Sequence, residues 1–332
     1  MDNQSFGIGI LGIGSCLPDR VITNFDLEKM VDTTNDWIVK RTGISERRIL
    51  EKDEPAYKLG VKAAQKAIDD AGLKPEDIDF IIVTTSTPDY LTPSMSCIIQ
   101  SEIGAVNAAA VDINAACTGF IYALKIAEPL IISGFYKKIL LISCESLSKV
   151  TDWEDRATCV LFGDGAGAVV IGAVEKGLGI VKTCVGADGS IGHNLTIPCC
   201  YMNSSDIEKR THENKRVLWM DGSEVFKFAV KAMADAISKV LENSNFSIED
   251  VKLIIPHQAN IRIIDGAAKK LGISLSKMYT NLHKYGNISS ASIPVALNEA
   301  HDLNLIEKGE LAILVGFGGG LTWGSTLIKW NR

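Results

Sequence analysis

The sequence predicts an α/β protein of two related halves, each a sheet of buried strands covered by helices. Sliding the chain along itself until Lys58 falls on Lys231 superposes two copies of one pattern. In each copy an amphipathic helical stretch, at 57–71 and 225–243, leads through a short loop to an apolar strand, at 79–85 and 251–256. The chain has 332 residues, 46% of them hydrophobic, so it is long enough for two such halves.

The repeat extends beyond the first helix and strand of each half. The same offset carries Asn114 onto Asn287 and the apolar strand 139–143 onto 312–316. A shared offset across four elements indicates an internal duplication.

The offset becomes shorter after residue 146, where Gly167 falls on Gly324. The first half, 1–175, therefore carries a segment, roughly 147–163, that the second half, 176–332, lacks. Inserted loops on a duplicated scaffold often carry function, so we expect a functional role for this segment. The polar stretch 199–215 of the second half is predicted to be a surface loop.

Composition and charge exclude several classes of function. The net charge of -6 offers no overall basic surface, so we expect no nucleic acid partner. The eight cysteines form no C-x-x-C pair and lie mostly in apolar runs, which indicates buried thiols in a reducing, cytoplasmic setting. The N-terminal apolar stretch is too short to span a bilayer, and no basic residues precede it, so we expect no membrane anchor.

The segment Gly7–Gly12 satisfies the G-x-G-x-x-G pattern of dinucleotide-binding turns. That fingerprint requires a strand before the glycines and a helix that opens on the last one. Only six residues precede Gly7, and Pro18 follows soon after Gly12. We therefore predict a glycine-rich strand rather than a cofactor site.

Cys117 stands between the end of a strand and an apolar helix predicted at 118–132. At that place the helix dipole and the unpaired N–H groups of the first turn favour a thiolate. Cys117 is therefore a candidate nucleophile. The alternative is a small buried thiol in a tight turn, because cysteine is among the most buried residue types.

The second half places polar side chains at matching strand ends. His257 follows the strand 251–256, and Asn287 lies in the strand-to-helix turn that pairs with the turn before Cys117. Reactive groups collect at the carboxyl ends of strands in parallel α/β sheets, and two related halves would bring these ends to one crevice. Singly, a buried histidine and a turn-forming asparagine are ordinary structural residues. Together with Cys117 they favour a catalytic site.

Three consecutive glycines, Gly318–Gly320, follow the strand 312–316 at another strand end. Glycine lets backbone N–H groups approach a developing oxyanion closely, so these residues are candidates for an oxyanion hole. The alternative is a flexible turn.

Six segments of the chain resemble the β-ketoacyl-[acyl-carrier-protein] synthases III, which initiate bacterial fatty acid synthesis and have the duplicated thiolase fold. The segments are Asn35–Ile44, Ala115–Gly119, Phe162–Gly167, His257–Arg262, Gly286–Ser292 and Gly316–Gly324. The resemblance covers nearly the whole chain and implies an α/β fold layered α-β-α-β-α.

Related classes of enzyme differ at single positions. Degradative thiolases place a second cysteine where this chain has Gly316, and elongating ketoacyl synthases use two histidines where it has His257 and Asn287. Plant-type polyketide synthases usually carry a proline in the run that reads Gly318–Gly320 here. The initiating synthase fits best.

The resemblance implies a decarboxylative Claisen condensation that needs no metal or redox cofactor, with acyl-CoA as a substrate. Cys117 would take the acyl group, while the N–H groups of Cys117 and Gly319 would hold the oxyanion. His257 and Asn287 would then stabilise the enolate that forms when malonyl-acyl carrier protein loses CO2.

Further residues are implied to bind the two substrates. The adenine of CoA would stack on Trp37, with Arg41 and Arg156 at its phosphates and Asn260 nearby. An acidic carrier protein would need a local basic patch on this acidic enzyme. The residues implied to bind the carrier protein, including the basic residues of this patch, are Gln258, Ala259, Asn260, Ile261, Arg262, Lys227, Lys269 and Lys270.

Primer choice is expected to depend on Thr92, which falls where short-chain enzymes of the family are expected to place a bulky phenylalanine. A smaller residue leaves room for primers longer or more branched than acetyl. The tunnel is expected to be completed across a homodimer interface. Two alternatives stay open: a related acyltransferase of secondary metabolism, and a non-catalytic binding subunit of the same fold.

Overall fold

The computed structural model describes residues 5–199 and 217–332. The strands are β1 Gly7–Cys16, β2 Val21–Thr23, β3 Glu46–Arg48, β4 Phe80–Thr84, β5 Ala109–Ile113, β6 Lys138–Ser146, β7 Asp164–Val174, β8 Gly179–Ala187, β9 Leu195–Thr196, β10 Trp219–Met220, β11 Val251–Pro256, β12 Leu311–Gly318 and β13 Thr322–Lys329. The helices are α1 Asn24–Leu27, α2 Asn35–Thr42, α3 Tyr57–Asp70, α4 Met95–Ile103, α5 Gly119–Ile132, α6 Gly222–Leu241, α7 Ile261–Leu271, α8 Leu282–Tyr285 and α9 Ser292–Asp302.

Two mixed sheets form the frame of the protein. The first has the order β1-β7-β6-β4-β5, in which β4 runs parallel to β5 and β6 while β7 is antiparallel to β6 and β1. The second has the order β11-β12-β13-β8, in which β11 and β12 are parallel and the other pairs antiparallel. Short antiparallel pairs, β2 with β3 and β9 with β10, lie outside these sheets.

The registers of the two sheets follow the offsets of the sequence. Ser143 pairs with Gly167 in the first sheet, and Gly316 pairs with Gly324 in the second. The offset that aligns Lys58 with Lys231 also relates Ser143 to Gly316. The shorter offset, which applies after residue 146, relates Gly167 to Gly324. This correspondence supports the proposed halves, whose boundary stays a prediction.

The layers are α-β-α-β-α, as the resemblance implied. Helices α5 and α9 pack between the two sheets, where they bury residues such as Phe120 and Leu297 against both. Helices α3 and α4 cover the outer face of the first sheet, and α6 and α7 cover the outer face of the second. Strand residues alternate between the layers: Ile82 faces the central helices, whereas Ile81 and Val83 face α3 and α4.

The glycine-rich segment at the N-terminus is strand β1, as predicted, and it pairs with β7. Its glycines allow α3 to lie unusually close. A methyl group on Gly12 would overlap the Ala67 carbonyl oxygen, and one on Gly14 would lie 2.6 Å from that of Ala63. The pattern that resembles a nucleotide fingerprint is therefore a packing surface.

The remaining predictions from the sequence have mixed outcomes. The segment 147–163 connects β6 to β7 mainly through turns. Cys144 and Cys159 are buried as expected, but Cys97 and Cys199 are exposed. The predicted surface loop lies outside the described residues except for Cys199. None of the described helices is long and apolar enough to cross a membrane.

Candidate active site

Cys117 lies in a strained turn between β5 and α5. The side chain of Asn114 accepts a hydrogen bond from the Ala116 amide at 3.0 Å, and Ala116 has a φ of +45°. One 3-10 turn follows, and α5 begins at Gly119, two residues after the cysteine. A positive φ in a residue with a side chain is uncommon and costly, and such strain occurs most often at functional sites.

The second half repeats this turn at the position given by the offset. Asn287 accepts a hydrogen bond from the Ser289 amide at 2.9 Å, and Ser289 has a φ of +48°. A 3-10 turn again leads into a helix, here α9. Ser290 therefore occupies the place that Cys117 has in the first half. The two turns meet, because the side chain of Ser289 hydrogen-bonds Cys117.

The electrostatics around Cys117 differ from those that the sequence predicted. Burial, together with the nearby charge of Glu145, raises the pKa of the Cys117 thiol to about 12. The hydrogen bonds from Ser289 and from the cysteine's own backbone amide lower the pKa by less. Burial therefore opposes the thiolate that the helix start was expected to favour, and the role of Cys117 as the nucleophile stays a prediction.

His257 follows β11 directly, and its amide donates to the Val315 carbonyl at 2.8 Å, which extends the ladder between β11 and β12. The side chain is 1% exposed, and its ring meets that of Phe317 edge to face at 5.3 Å. Burial lowers the pKa of His257 to about 3, so the imidazole is neutral at physiological pH. Its Nδ1 has no hydrogen-bond partner among the described residues.

Asn287 is 7% exposed, and its backbone is tied to the end of the inserted segment. Its amide donates to the Leu161 carbonyl at 2.8 Å, and its carbonyl accepts from the Gly163 amide at 3.0 Å. Because Oδ1 already accepts from Ser289, the side-chain NH2 group is the end that can donate to a substrate.

The glycine run forms the turn between β12 and β13 and lies against Cys117. A methyl group on Gly318 would lie 2.7 Å from the Cys117 amide nitrogen, and one on Gly319 would lie 3.4 Å from the Ala116 side chain. The Thr322 hydroxyl lies within 3.2 Å of the Ala115 and Gly319 carbonyl oxygens, which joins the two turns. The backbone of the glycine run can approach the cysteine because Gly318 has no side chain.

Cys117 and His257 are therefore held by the same short segment of β12. His257 rests on Phe317, and the Cys117 turn rests on the next residue, Gly318. Asn287 starts the turn whose Ser289 reaches the thiol. The structure thus brings together the three residues that the sequence nominated for catalysis.

Trp37, Arg41 and Arg156 also come together, although Arg156 is distant from the other two in the chain. The guanidinium carbon of Arg41 lies 4.8 Å from the centre of the Trp37 ring, and that of Arg156 lies 5.1 Å from it. Arg156 also donates to the Asp32 carbonyl at 2.8 Å. An aromatic ring with two cations close to it suits an anionic ligand with a flat base.

Arg47 holds the two sides of this arginine and tryptophan cluster together, a role that the sequence analysis did not indicate. It is completely buried and donates to Asn24 at 3.0 Å and to the carbonyl of Val160, in the inserted segment, at 2.9 Å. Burial lowers its pKa to about 10, which leaves the guanidinium charged at neutral pH. The Asn24 side chain in turn donates to Asn35, the first residue of α2.

The residues nominated for the carrier protein are placed unevenly. Gln258 is 1% exposed, and its amide donates to the Pro256 and Tyr279 carbonyls and accepts from the Asn281 amide. A side chain so buried cannot contact a partner, so this part of the prediction is wrong. Asn260 caps the start of α7 by accepting from the Arg262 amide, and Ala259 and Ile261 are half-buried.

The four basic side chains of the predicted patch are exposed, but three of them already face carboxylates. Lys227 pairs with Glu224, Lys269 with Asp265 and Lys270 with Asp235. Arg262 instead lies over the ring of Phe226, at 5.5 Å from its centre. Exposed ion pairs of this kind exchange partners at little cost, so the pairs leave the surface available to an acidic partner.

Thr92 is exposed on the loop between β4 and α4. An exposed residue cannot form the floor of a tunnel within one chain, so this role requires a second subunit. A different set of side chains lies near the glycine run: the Leu195 side chain is 3.7 Å from a methyl placed on Gly319. Leu195 belongs to an apolar cluster with Leu147, Phe162, Leu218 and Met220.

Sequence reasoning missed Glu145, Ser289 and Ser290. The offset that carries Asn114 onto Asn287 also carries Cys117 onto Ser290, so the signal was present. Glu145 was detectable as a charged residue in the apolar run of β6.

Comparison with known proteins finds one family over most of the chain. A family model for 3-oxoacyl-[acyl-carrier-protein] synthase III matches residues 111–189, and a model for its C-terminal part matches residues 241–330. The β-ketoacyl-[acyl-carrier-protein] synthase III of Caldanaerobacter subterraneus subsp. tengcongensis is 50% identical over 329 residues, which cover 99% of each chain.

Two solved structures share the fold over nearly the full length. The 3-oxoacyl-[acyl-carrier-protein] synthase III from Aquifex aeolicus VF5 is 45% identical with a TM-score of 0.90, and the match covers 98% of this chain and all of the other. The priming β-ketosynthase of the R1128 polyketide biosynthetic pathway is 35% identical with a TM-score of 0.90, over 98% and 96% of the two chains. This chain belongs to the β-ketoacyl-[acyl-carrier-protein] synthase III family.

Proposed function

We propose that this chain condenses an acyl-CoA primer with malonyl-acyl carrier protein, releasing CO2 and giving 3-oxoacyl-acyl carrier protein, the first step of fatty acid synthesis. The observation that carries the proposal is the meeting of a thiol, a neutral imidazole and a side-chain amide at Cys117, His257 and Asn287. A thiol can carry an acyl group, and two neutral donors can stabilise an enolate.

In the first half-reaction the Cys117 sulfur attacks the thioester carbon of acyl-CoA. The bond between that carbon and the CoA sulfur breaks, and the thiol proton ends on CoA. The N–H groups of Cys117 and Gly319 stabilise the tetrahedral oxyanion, which the close approach of the glycine run supports. Because burial and Glu145 raise the pKa of the Cys117 thiol, the proton is proposed to leave as the new bond forms.

In the second half-reaction malonyl-acyl carrier protein loses CO2, and the electron pair of the broken bond forms an enolate. His257 and Asn287 donate hydrogen bonds to the enolate oxygen, because the neutral imidazole keeps one N–H and the side-chain amide has an NH2 group. The enolate carbon attacks the acyl carbonyl on Cys117, the carbon–sulfur bond breaks, and the cysteine regains a proton from solvent. Neither half-reaction needs a cofactor, and acyl-CoA is consumed as a substrate.

The acyl chain is proposed to pack against the apolar cluster of Leu195, Phe162 and Met220 beside Gly319. CoA is proposed to bind at Trp37 and its two arginines, with Asn260 at the start of the neighbouring helix. The carrier protein would dock on the exposed residues around Arg262, with Gln258 holding the loop from inside.

A second copy of the chain is proposed to pair along β5, the edge strand of the first sheet. Apolar side chains are exposed at this edge and on the adjoining loops, including Val111, Tyr90, Leu91 and Val106. An exposed apolar edge strand is a template for pairing. Thr92 lies in the same region, so it would reach the primer tunnel of the partner.

Primer choice then depends on Thr92 acting across that interface. We expect butyryl-CoA or isobutyryl-CoA to be preferred to acetyl-CoA, and Thr92→Phe to shift kcat/KM toward acetyl-CoA by about tenfold, or ~1.4 kcal/mol. A wild-type preference for acetyl-CoA of that size would contradict the proposal. The matched control is Leu91→Phe, on the same exposed loop, which adds bulk beside position 92.

The experiment that tests the function separates the two half-reactions. Purified protein mixed with acyl-CoA should gain one acyl group on the Cys117 peptide by mass spectrometry, and malonyl-acyl carrier protein should then remove it as 3-oxoacyl product. An adduct on another cysteine would contradict the assignment, and the absence of any adduct would favour a binding subunit. A reducing compartment such as the cytoplasm suits a reaction that needs a free thiol.

The similarity to a priming ketosynthase of polyketide synthesis favours one second candidate, the same chemistry in a secondary pathway. Acyl transfer would be unchanged in that case, and only the carrier protein would differ. Rates with malonyl groups on carrier proteins from fatty acid and polyketide synthesis distinguish the two.

A further inference from the structure

Glu145, the second-last residue of β6, is a buried carboxylate that the proposed reaction does not use. Its side chain is completely buried, and the hydrogen-bond partners that the described residues give it are all neutral. Oε2 instead accepts from the Thr87 hydroxyl at 2.8 Å and from the Ser86 amide and hydroxyl at 3.0 Å. Burying a carboxylate against neutral donors alone is costly, so its position requires an explanation.

The other oxygen of Glu145 reaches the second half of the chain. Oε1 accepts a hydrogen bond from the Ser290 hydroxyl at 2.7 Å. Ser290 belongs to the turn that begins with Asn287, three residues earlier. Glu145 therefore joins the loop that follows β4 to the turn that presents the side-chain amide of Asn287.

Glu145 also acts on the nucleophile through space. Two effects raise the pKa of Cys117, burial first and the negative charge of Glu145 second. The charge thus favours the thiol over the thiolate in the free enzyme. One carboxylate therefore touches the turn of Asn287 and biases the ionisation of Cys117.

We propose that Glu145 is a positioning residue of the condensing site: through its hydrogen bond to Ser290 it fixes the turn that carries Asn287, and its carboxyl group acts electrostatically on Cys117. The inference rests on the proposed function, because it assigns Glu145 an effect on each half-reaction. Its position in the duplication fits this role. The offset that carries Cys117 onto Ser290 places Glu145 on Gly318, so each residue lies against the turn of the opposite half.

The test compares Glu145→Gln with Ser290→Ala in the full chain. Glutamine keeps the size of the side chain and removes the charge, so the rate of Cys117 alkylation by iodoacetamide at about pH 7 should rise about threefold or more, and its pH profile should move to lower pH. Ser290→Ala removes the link, together with a longer hydrogen bond to the Thr84 carbonyl, but no charge, so its alkylation profile should match the wild type. Both variants should lose about tenfold in malonyl decarboxylation.

Asp164→Asn is the matched control, because Asp164 is another completely buried carboxylate, held by Ser148 and the Leu50 amide. It should leave the alkylation profile of Cys117 unchanged. An unshifted profile in Glu145→Gln, or unchanged decarboxylation in Ser290→Ala, would overturn the inference. If Glu145→Gln does not fold, decarboxylation by Ser290→Ala decides. Failure of the wild type to form the Cys117 adduct would overturn the proposed function instead.

Discussion

The turn that carries Cys117 and the turn that carries Asn287 have the same backbone and different surroundings. Each begins with an asparagine that accepts a hydrogen bond from the amide two residues later, and in each a residue with positive φ is the first of a short 3-10 turn. The duplication has therefore preserved the strained geometry in both halves. Chemistry distinguishes them, since one holds a thiol and the other a hydroxyl at the equivalent place.

The difference lies in what packs on each turn. Gly318 of β12 brings bare backbone against the Cys117 turn, whereas Glu145 of β6 reaches the Ser290 turn with a carboxylate. The first turn therefore has backbone N–H groups close to the thiol, and the second is fixed by a hydrogen bond. An internal repeat can therefore keep the same backbone in both halves while only one half carries the reactive side chain and the other half supports it.

Replacing Cys117, the proposed nucleophile, should cause the largest loss of activity. We expect Cys117→Ser to lose acyl transfer from CoA by a factor of the order of 10³ or more, because a hydroxyl ionises far less readily than a thiol. The measurement is the acyl adduct on the peptide that contains residue 117, with Cys97→Ser at the exposed cysteine as control. Full adduct formation in Cys117→Ser would break the comparison.

Removing either of the two proposed enolate donors should separate the half-reactions. We expect His257→Ala and Asn287→Ala to accept the acyl group but to lose about 10²–10³ in malonyl decarboxylation, because each removes one enolate donor. Single-turnover acylation and CO2 release, measured on the same preparation, test this. Equal losses in both steps would show that the two turns do not divide the work.

Adding a side chain where the glycine run meets the Cys117 turn should impair that turn alone. We expect Gly318→Ala to reduce acylation about tenfold and to destabilise the fold by about 1–3 kcal/mol, since the new methyl overlaps the Cys117 amide. Urea unfolding and adduct formation measure the two effects. Gly189→Ala is the control, because no atom lies within 4 Å of a methyl placed there. Normal acylation in a folded Gly318→Ala protein would show that the close approach is not needed.

The smallest expected effect is on stability in acid, which depends on the neutral imidazole of His257. The unfolded chain binds a proton on His257 at its ordinary pKa of 6.5, whereas the folded chain excludes it until about 3. The free energy of unfolding should therefore fall as pH is lowered through this window. Urea unfolding of His257→Gln should show a shallower fall, and exposed His283→Gln controls for loss of a histidine. Equal slopes in wild type and His257→Gln would contradict the burial of a neutral imidazole.

The fold was largely predictable because the duplication fixes many elements at once. One offset located the helix α3 and its copy α6, the strands β4 and β11, and the turn at Asn287, and the sheet registers agree with it. The catalytic trio was predictable for the same reason. The offset places each residue at the end of a strand, where a crevice between halves must lie.

What could not be predicted depends on burial and on charges distant in sequence. The ionisation of Cys117 depends on its depth and on Glu145, which lies on another strand beyond the end of α5. Gln258 belongs to a motif that resembles a docking segment, yet its amide is used inside the protein. Sequence spacing places a residue on an element, but it does not show which of its atoms are already paired.

The exposed edge of β5 has a consequence for how activity scales with the amount of protein. This strand leads directly into Asn114, three residues before the proposed nucleophile, so in the proposed pair the second chain would also brace the reactive turn. Mass action then links the number of formed sites to the total concentration. On dilution below the dissociation constant of the pair, turnover per chain should fall although every chain remains intact.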